Sequence, residues 1–111
     1  MLDFLREFKE IQTSAVDLAR MKNNDYGNSF IGDGYEGVLV RMTDKMNRIR
    51  TLSSGVKKEV SNENLKDTIM DLQNYCTIAI ICLNNNFHSP LFTLNKENKQ
   101  WIIQNIHQQN I

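Results

Sequence analysis

ENLKDTIMDLQNYCTIAIICL, the stretch from Glu63 to Leu83, decides the fold, because it has the strongest helical periodicity in the chain. Leu65, Ile69, Leu72, Cys76, Ala79 and Leu83 recur at alternating four- and three-residue steps. That spacing puts them on one stripe of an α-helix and predicts that the stripe is core. At about 100° per residue, Glu63, Asp67, Asp71 and Asn74 gather on the opposite side as a second, acidic stripe. The closing turns, TIAIICL, are apolar nearly all the way round, which points to a fully surrounded central helix or to a subunit contact.

Working outward, Phe4, Phe8, Ile11, Ala15 and Leu18 repeat at helical spacing and predict a first amphipathic helix from Leu2 to about Asn23. NNDYGNSFIGDG, from Asn23 to Gly34, concentrates turn chemistry and reads as a long loop, of a kind that either joins elements on the surface or has a task of its own. A second helix follows from about Tyr35 to Leu52, with Val38, Met42, Met46 and Ile49 turned inward. Ser53 to Asn62 is a polar connection, and Ser61 or Asn62 can cap the next helix. After Leu83, three asparagines and Pro90 break the pattern. Asn95 to Ile111, with Trp101, Ile102 and Ile106, is expected to be a last helix. The expected fold is a single all-α domain over residues 1–111, a compact bundle of about four helices with a long functional loop between the first two.

Composition narrows the class. A chain of 111 residues with 41% hydrophobic residues and one proline can close a hydrophobic core without staples. Thirteen acids balance thirteen Lys and Arg, so no global field draws the chain to duplex nucleic acid or to an anionic membrane. Asp3, Arg6, Glu7, Lys9 and Glu10 interrupt the first apolar positions, and no stretch reaches the ~20 apolar residues that span a bilayer, so a cytoplasmic location is expected. Cys76 and Cys82 lie about 9 Å apart along one helix and cannot bridge each other; both read as small buried hydrophobes.

Three groups of polar residues could carry chemistry. Arg41, Asp44, Lys45 and Arg48 share one narrow face of the second helix, either as a solvated surface or as partners for the acidic stripe. On that stripe, Glu63 with Asp67, or Asp67 with Asp71, has the spacing to share one hard cation such as Mg²⁺. Glu63 and Asp71 stand about 12 Å apart along the axis, too far for one ion. The alternative is pairing with Arg41, Lys45 and Arg48 across the helix interface. Lys22, Asp25 and Tyr26, next to Gly27, could grip a phosphate and stack a base, while the plainer reading of Tyr26 is a ring covering the core edge. His88 and His107 share no ligand spacing with a cysteine and read as surface or capping residues. No cofactor is assigned.

KNNDYGNSF (Lys22 to Phe30), GVLVRMTDKMNRIRTL (Gly37 to Leu52) and ENLKDTIMDLQNY (Glu63 to Tyr75) together resemble a family of phages and bacteria known as nucleotide modification associated domain one. The resemblance implies a compact helical domain encoded near genes that make or modify nucleotides. The residues that match the family pattern are Lys22, Asp25, Tyr26, Gly27, Arg41, Asp44, Lys45, Arg48, Glu63, Asp67, Asp71, Asn74 and Tyr75. They coincide with the residues that helical geometry singles out between the second and third helices. A phosphorylated nucleotide suits them, with Lys and Arg for phosphate, Tyr for the base, and Asn or carboxylate for sugar or base edges. A looser likeness is to all-helical nucleoside triphosphate pyrophosphohydrolases, but their first pair of glutamates three apart is missing, and Glu36 and Asp44 are the nearest substitutes.

Three functions follow as expectations. The first is a nucleotide-binding protein that recognises or sequesters its ligand, a host signalling nucleotide if the gene is viral, working as a homo-oligomer. The second is a Mg²⁺-dependent pyrophosphohydrolase with Glu63, Asp67 and Asp71 as metal ligands. The third is a structural or adaptor module whose charged stripes satisfy each other.

Overall fold

The computed structural model describes residues 1–26, 29–55, 62–90, 92–95 and 100–103, with the side chains of 1–22, 32–55 and 63–90. Three helices make the body: α1 (Phe4–Tyr26), α2 (Ser29–Ser53) and α3 (Asn62–Asn84). A two-stranded antiparallel hairpin, β1 (Phe92–Asn95) and β2 (Gln100–Ile103), follows them. No helix among the described residues is long and apolar enough to cross a membrane.

Local chemistry fixes the helix ends. Asp3 caps α1, its Oδ1 accepting from the Arg6 amide at 3.1 Å, which satisfies one of the orphan donors of the first turn. At the end of α2, Ser54 donates to the Thr51 carbonyl from both its amide and its hydroxyl, and Gly55 follows at φ 72°. α3 stops where Asn86 takes φ 55° and the Phe87 amide bonds the Cys82 carbonyl at 2.8 Å, the left-handed stop that asparagine tolerates. The caps proposed at Ser61 and Asn62 lie outside the described side chains.

Two expectations about the backbone change. The loop foreseen from Asn23 to Gly34 is largely helical, since α1 runs on to Tyr26 and α2 begins at Ser29. Within α2, Gly34 is non-helical, with φ 66° and ψ −167°, and the helix runs on from Tyr35. The last helix foreseen from Asn95 to Ile111 is also corrected. Residues 100–103 form a strand in which Trp101 pairs with Leu94 and Ile103 with Phe92, an arrangement suited to β-branched and aromatic residues. Residues 104–111, including Ile106 and His107, lie outside the described part.

The core is small. Val38 of α2 packs with Ile78, Ala79 and Cys82 of α3, and Tyr35, Met42, Tyr75 and Phe87 close around them. α3 is thus turned about a quarter of a revolution from the expected setting. Thr68, Asn74, Ile78, Ala79 and Cys82 are buried, whereas Ile69 and Leu83 are each 47% exposed and Cys76 is exposed. The acidic stripe was expected to face away from the core, yet part of it faces the other helices. The reason is that Asp71 and Asn74 find polar partners there.

Candidate functional site

Asp71, near the middle of α3, organises the site. Its Oδ1 accepts a hydrogen bond from Lys22 of α1 at 2.8 Å, and its Oδ2 lies 3.2 Å from the Lys45 ammonium of α2. One carboxylate therefore ties all three helices together. The Asp71 side chain is only 15% exposed, while Lys45 and Lys22 are 30% and 36% exposed. Burial pushes the Asp71 carboxyl up, but the hydrogen bonds and charges of Lys22 and Lys45 outweigh it and hold the group below its ordinary range.

One turn farther along α2 and one turn back on α3, Arg48 donates from Nε to the Thr68 hydroxyl at 3.3 Å. Thr68 is buried and donates in turn to the Asn64 carbonyl at 2.8 Å. The two rungs, Lys45 with Asp71 and Arg48 with Thr68, follow from the antiparallel run of α2 against α3, where i, i+3 positions on one helix meet i, i−3 positions on the other. Among the described residues no carboxylate pairs with Arg48.

The other foreseen residues are spread more widely. Arg41 reaches back along its own helix to Asp33 at 3.7 Å rather than across to α3. Asp44, Glu63 and Asp67 are exposed. Asn74 is buried and donates to the Ala15 carbonyl at 3.2 Å, so it faces α1, and Tyr75 packs against the apolar cluster. The side chains of Asp25 and Tyr26 lie outside the described part. Among the described residues no three His, Cys, Asp or Glu side chains gather as a cation site.

Sequence reasoning missed a second polar junction. Glu36 accepts from the Ser89 amide at 2.7 Å through Oε1, and its Oε2 lies 2.7 Å from His88 Nδ1. The His88 side chain is 5% exposed, with the Tyr35 ring edge-on at 6.1 Å, and so is neither a surface nor a simple capping residue. This junction latches the chain after α3 onto the start of α2, where the Tyr35 amide also bonds the Phe87 carbonyl at 2.9 Å. No spacing signal links residues so distant in the chain. Thr68, by contrast, sits one turn before Asp71 on the same stripe, and periodicity could have found it.

A family model described as nucleotide modification associated domain 1 matches residues 22–83 of the 111. The chain belongs to that family. The match begins at Lys22 and ends at Leu83, so it takes in all five residues of the two rungs and their α1 anchor: Lys22, Lys45, Arg48, Thr68 and Asp71. It leaves out most of α1 and the His88 latch. Searches of curated proteins and of solved structures each find no match. The family description associates the domain with nucleotide modification and names no reaction.

Proposed function

We infer that this member of the nucleotide modification associated domain 1 family binds a phosphorylated nucleotide and holds it without converting it. The observation that carries the reading is the pair of ammonium groups, Lys22 and Lys45, on the half-buried carboxylate of Asp71, with Arg48 held one turn away on Thr68. Asp71 fixes the lysine head groups, so a phosphate arriving beside them meets donors already oriented, which lowers the ordering cost of binding. Arg48 is anchored through Nε on the neighbouring rung, and a guanidinium fork matches two phosphate oxygens. Sequestration fits a site built from positioning groups. If the gene is viral, the ligand is a host signalling nucleotide. The protein acts as a homo-oligomer in this reading, since apolar side chains of α3 remain exposed.

The ion pairs also favour a second reading. Asp71 already engages both ammonium groups, and a purely structural role for the network would need no ligand.

Isothermal titration with mono-, di- and triphosphates and cyclic nucleotides, with and without Mg²⁺, separates the readings. Binding of one nucleotide class is expected, with the ligand recovered intact after denaturation. Arg48→Ala should weaken it about tenfold or more, the size of a lost charge-assisted hydrogen bond. Absence of heat across the panel would leave the structural reading standing. Recovery of cleaved nucleotide in the Mg²⁺ arm would replace sequestration by hydrolysis.

A further inference from the structure

We propose that the groove between α1 and α3 receives the base of the bound nucleotide, one with an amino group beside a ring nitrogen, as in adenine or cytosine. This rests on the nucleotide reading above and names the part of the ligand that the cations leave unread. The groove, of about 500 Å³, has the size that small ligands occupy. Ala15, Val16 and Ala19 of α1 make one side of it apolar, and Gln73, Asn74 and Thr77 of α3 make the other side polar.

Asn74 identifies the guest. The residue is 6% exposed, and its Nδ2 donates to the Ala15 carbonyl at 3.2 Å. A carbonyl only accepts, so this bond fixes which way round the amide sits. Among the described residues nothing donates to the Asn74 Oδ1. A buried acceptor without a donor is costly, and a guest that brings an N–H relieves it. The neighbouring polar groups are engaged with one another, Gln73 with Gln12 at 2.8 Å and the Thr77 hydroxyl with the Gln73 carbonyl at 3.3 Å. A phosphate would be repelled by the Asn74 oxygen. A sugar would set several hydroxyls against Val16 and the alanines without partners. A flat ring with an amino edge satisfies both sides of the groove. Its face lies on the apolar side, its amino group donates to Oδ1, and the second Nδ2 hydrogen meets the ring nitrogen beside that amino group.

The groove and the cations lie along one joint. Ala19 precedes Lys22 by three residues on α1, and Asp71 precedes Asn74 by three on α3. Residues three apart share a helix face, so the Lys22–Asp71 pair at 2.8 Å closes the same α1–α3 joint that holds the groove. One molecule thus meets Lys22 with its phosphate and Asn74 with its base. At the rim Arg20, 79% exposed and 3.9 Å from Asp17, can cover the outer face of the ring.

Titration of the full chain with adenosine and cytidine phosphates against inosine and uridine phosphates, in which a carbonyl replaces the amino group, reads the contact directly. The amino members should bind about tenfold more tightly, the size of one lost hydrogen bond. Val16→Trp, at a half-exposed position on the groove, should weaken that binding about tenfold or more and leave helical circular dichroism and the melting temperature unchanged. In the wild type, the NMR signal of the Asn74 side-chain amide should move with adenosine phosphates and stay in place with inosine phosphates. The amino preference and this signal decide the matter even if Val16→Trp loses its fold. Binding without an amino preference, or binding that a folded Val16→Trp leaves unchanged, would overturn the base site and leave the phosphate reading standing. Adenosine that binds as tightly as its phosphates would keep the groove and sink the phosphate reading. Silence from every nucleoside and nucleotide would sink both.

Discussion

α3 meets its two neighbours by different chemistry. Against α2 it adds to the Lys45–Asp71 and Arg48–Thr68 rungs an apolar contact of Ile78, Ala79 and Cys82 around Val38, which the chain after α3 seals where His88 and Ser89 bond Glu36. Against α1 the hydrogen bonds are polar: Asp71 to Lys22, Asn74 to the Ala15 carbonyl, and Gln73 to Gln12 at 2.8 Å. Among the described residues of α1, Ala15 is buried. Apolar burial is insensitive to pH and weakly affected by salt, while a half-buried ion pair responds to both. The α2–α3 pair should therefore be the stable unit, with α1 held to it by bonds that conditions can loosen.

The sharpest way to break the apolar joint is Gly34→Ala. Gly34 stands at φ 66°, a conformation that side chains resist, and an added Cβ would lie 2.4 Å from the His88 carbonyl carbon. Backbone atoms on both sides leave no flexible group to yield. The loss should exceed about 4 kcal/mol, in the range reserved for strain at special backbone positions. Urea unfolding followed by circular dichroism measures it, and a loss under about 1 kcal/mol would mean that the latch is loose.

Next in size is Ile78→Ala, which hollows the centre of the same joint. Removing a buried isoleucine to alanine costs about 3 kcal/mol, part transfer and part residual cavity. The variant should keep α1's salt response unchanged, because the polar joint lies one to two turns nearer the start of α3, at Asp71 and Asn74. Unfolding at low and high salt checks both statements.

The two joints also differ in how far the sequence announces them. The ends of α2 and α3 were legible, since the breakers at Gly55 and Asn84 to Asn86 are local signals. So was the meeting of Lys45 with Asp71, because stripes of matching pitch and opposite sign lie on consecutive helices. The rotational setting of α3 was not. Its most periodic apolar stripe and its Asp71–Asn74 stripe are equally regular, and the choice depends on Lys22 and the Ala15 carbonyl, which belong to a distant part of the chain. Local turn propensity likewise misplaced the break between α1 and α2. Asn23, Asn24 and Asp25 favour turns, but α1 continues through them to Tyr26, and within α2 the non-helical residue is Gly34, where its lack of a side chain lets His88 pack against the backbone. Burial treated both cysteines alike in sequence, yet Cys82 is fully buried and Cys76 exposed. For Cys82 burial, together with the nearby charge of Glu36, pushes the thiol up, which makes it a poor nucleophile.

The polar joint is broken by Asp71→Asn, and here the sign of the pH dependence is the discriminating feature. The folded-state value of Asp71 lies below its ordinary one, because Lys22 and Lys45 favour the charged form by more than burial opposes it. A carboxyl with a depressed folded value contributes stability that is fully present above the unfolded value, about 3.9, and is lost as pH falls through the folded value. At pH 7 the substitution should cost about 2 kcal/mol, the scale of hydrogen bonds to a charged group. The gap between wild type and Asp71→Asn should stay level from pH 7 to about pH 5 and close below about pH 4. Hydrogen exchange locates the loss: amides around Ala15 in α1 should exchange faster, while those around Val38 and Ile78 keep their protection. Equal loosening of both regions at pH 7 would show that α1 and the α2–α3 pair unfold as one unit. The contrast between an apolar joint and a detachable polar one would then be wrong. Loosening confined to α1 would make Lys22 the member of the site whose position depends most on Asp71, since Lys45 remains mounted on the joint that survives.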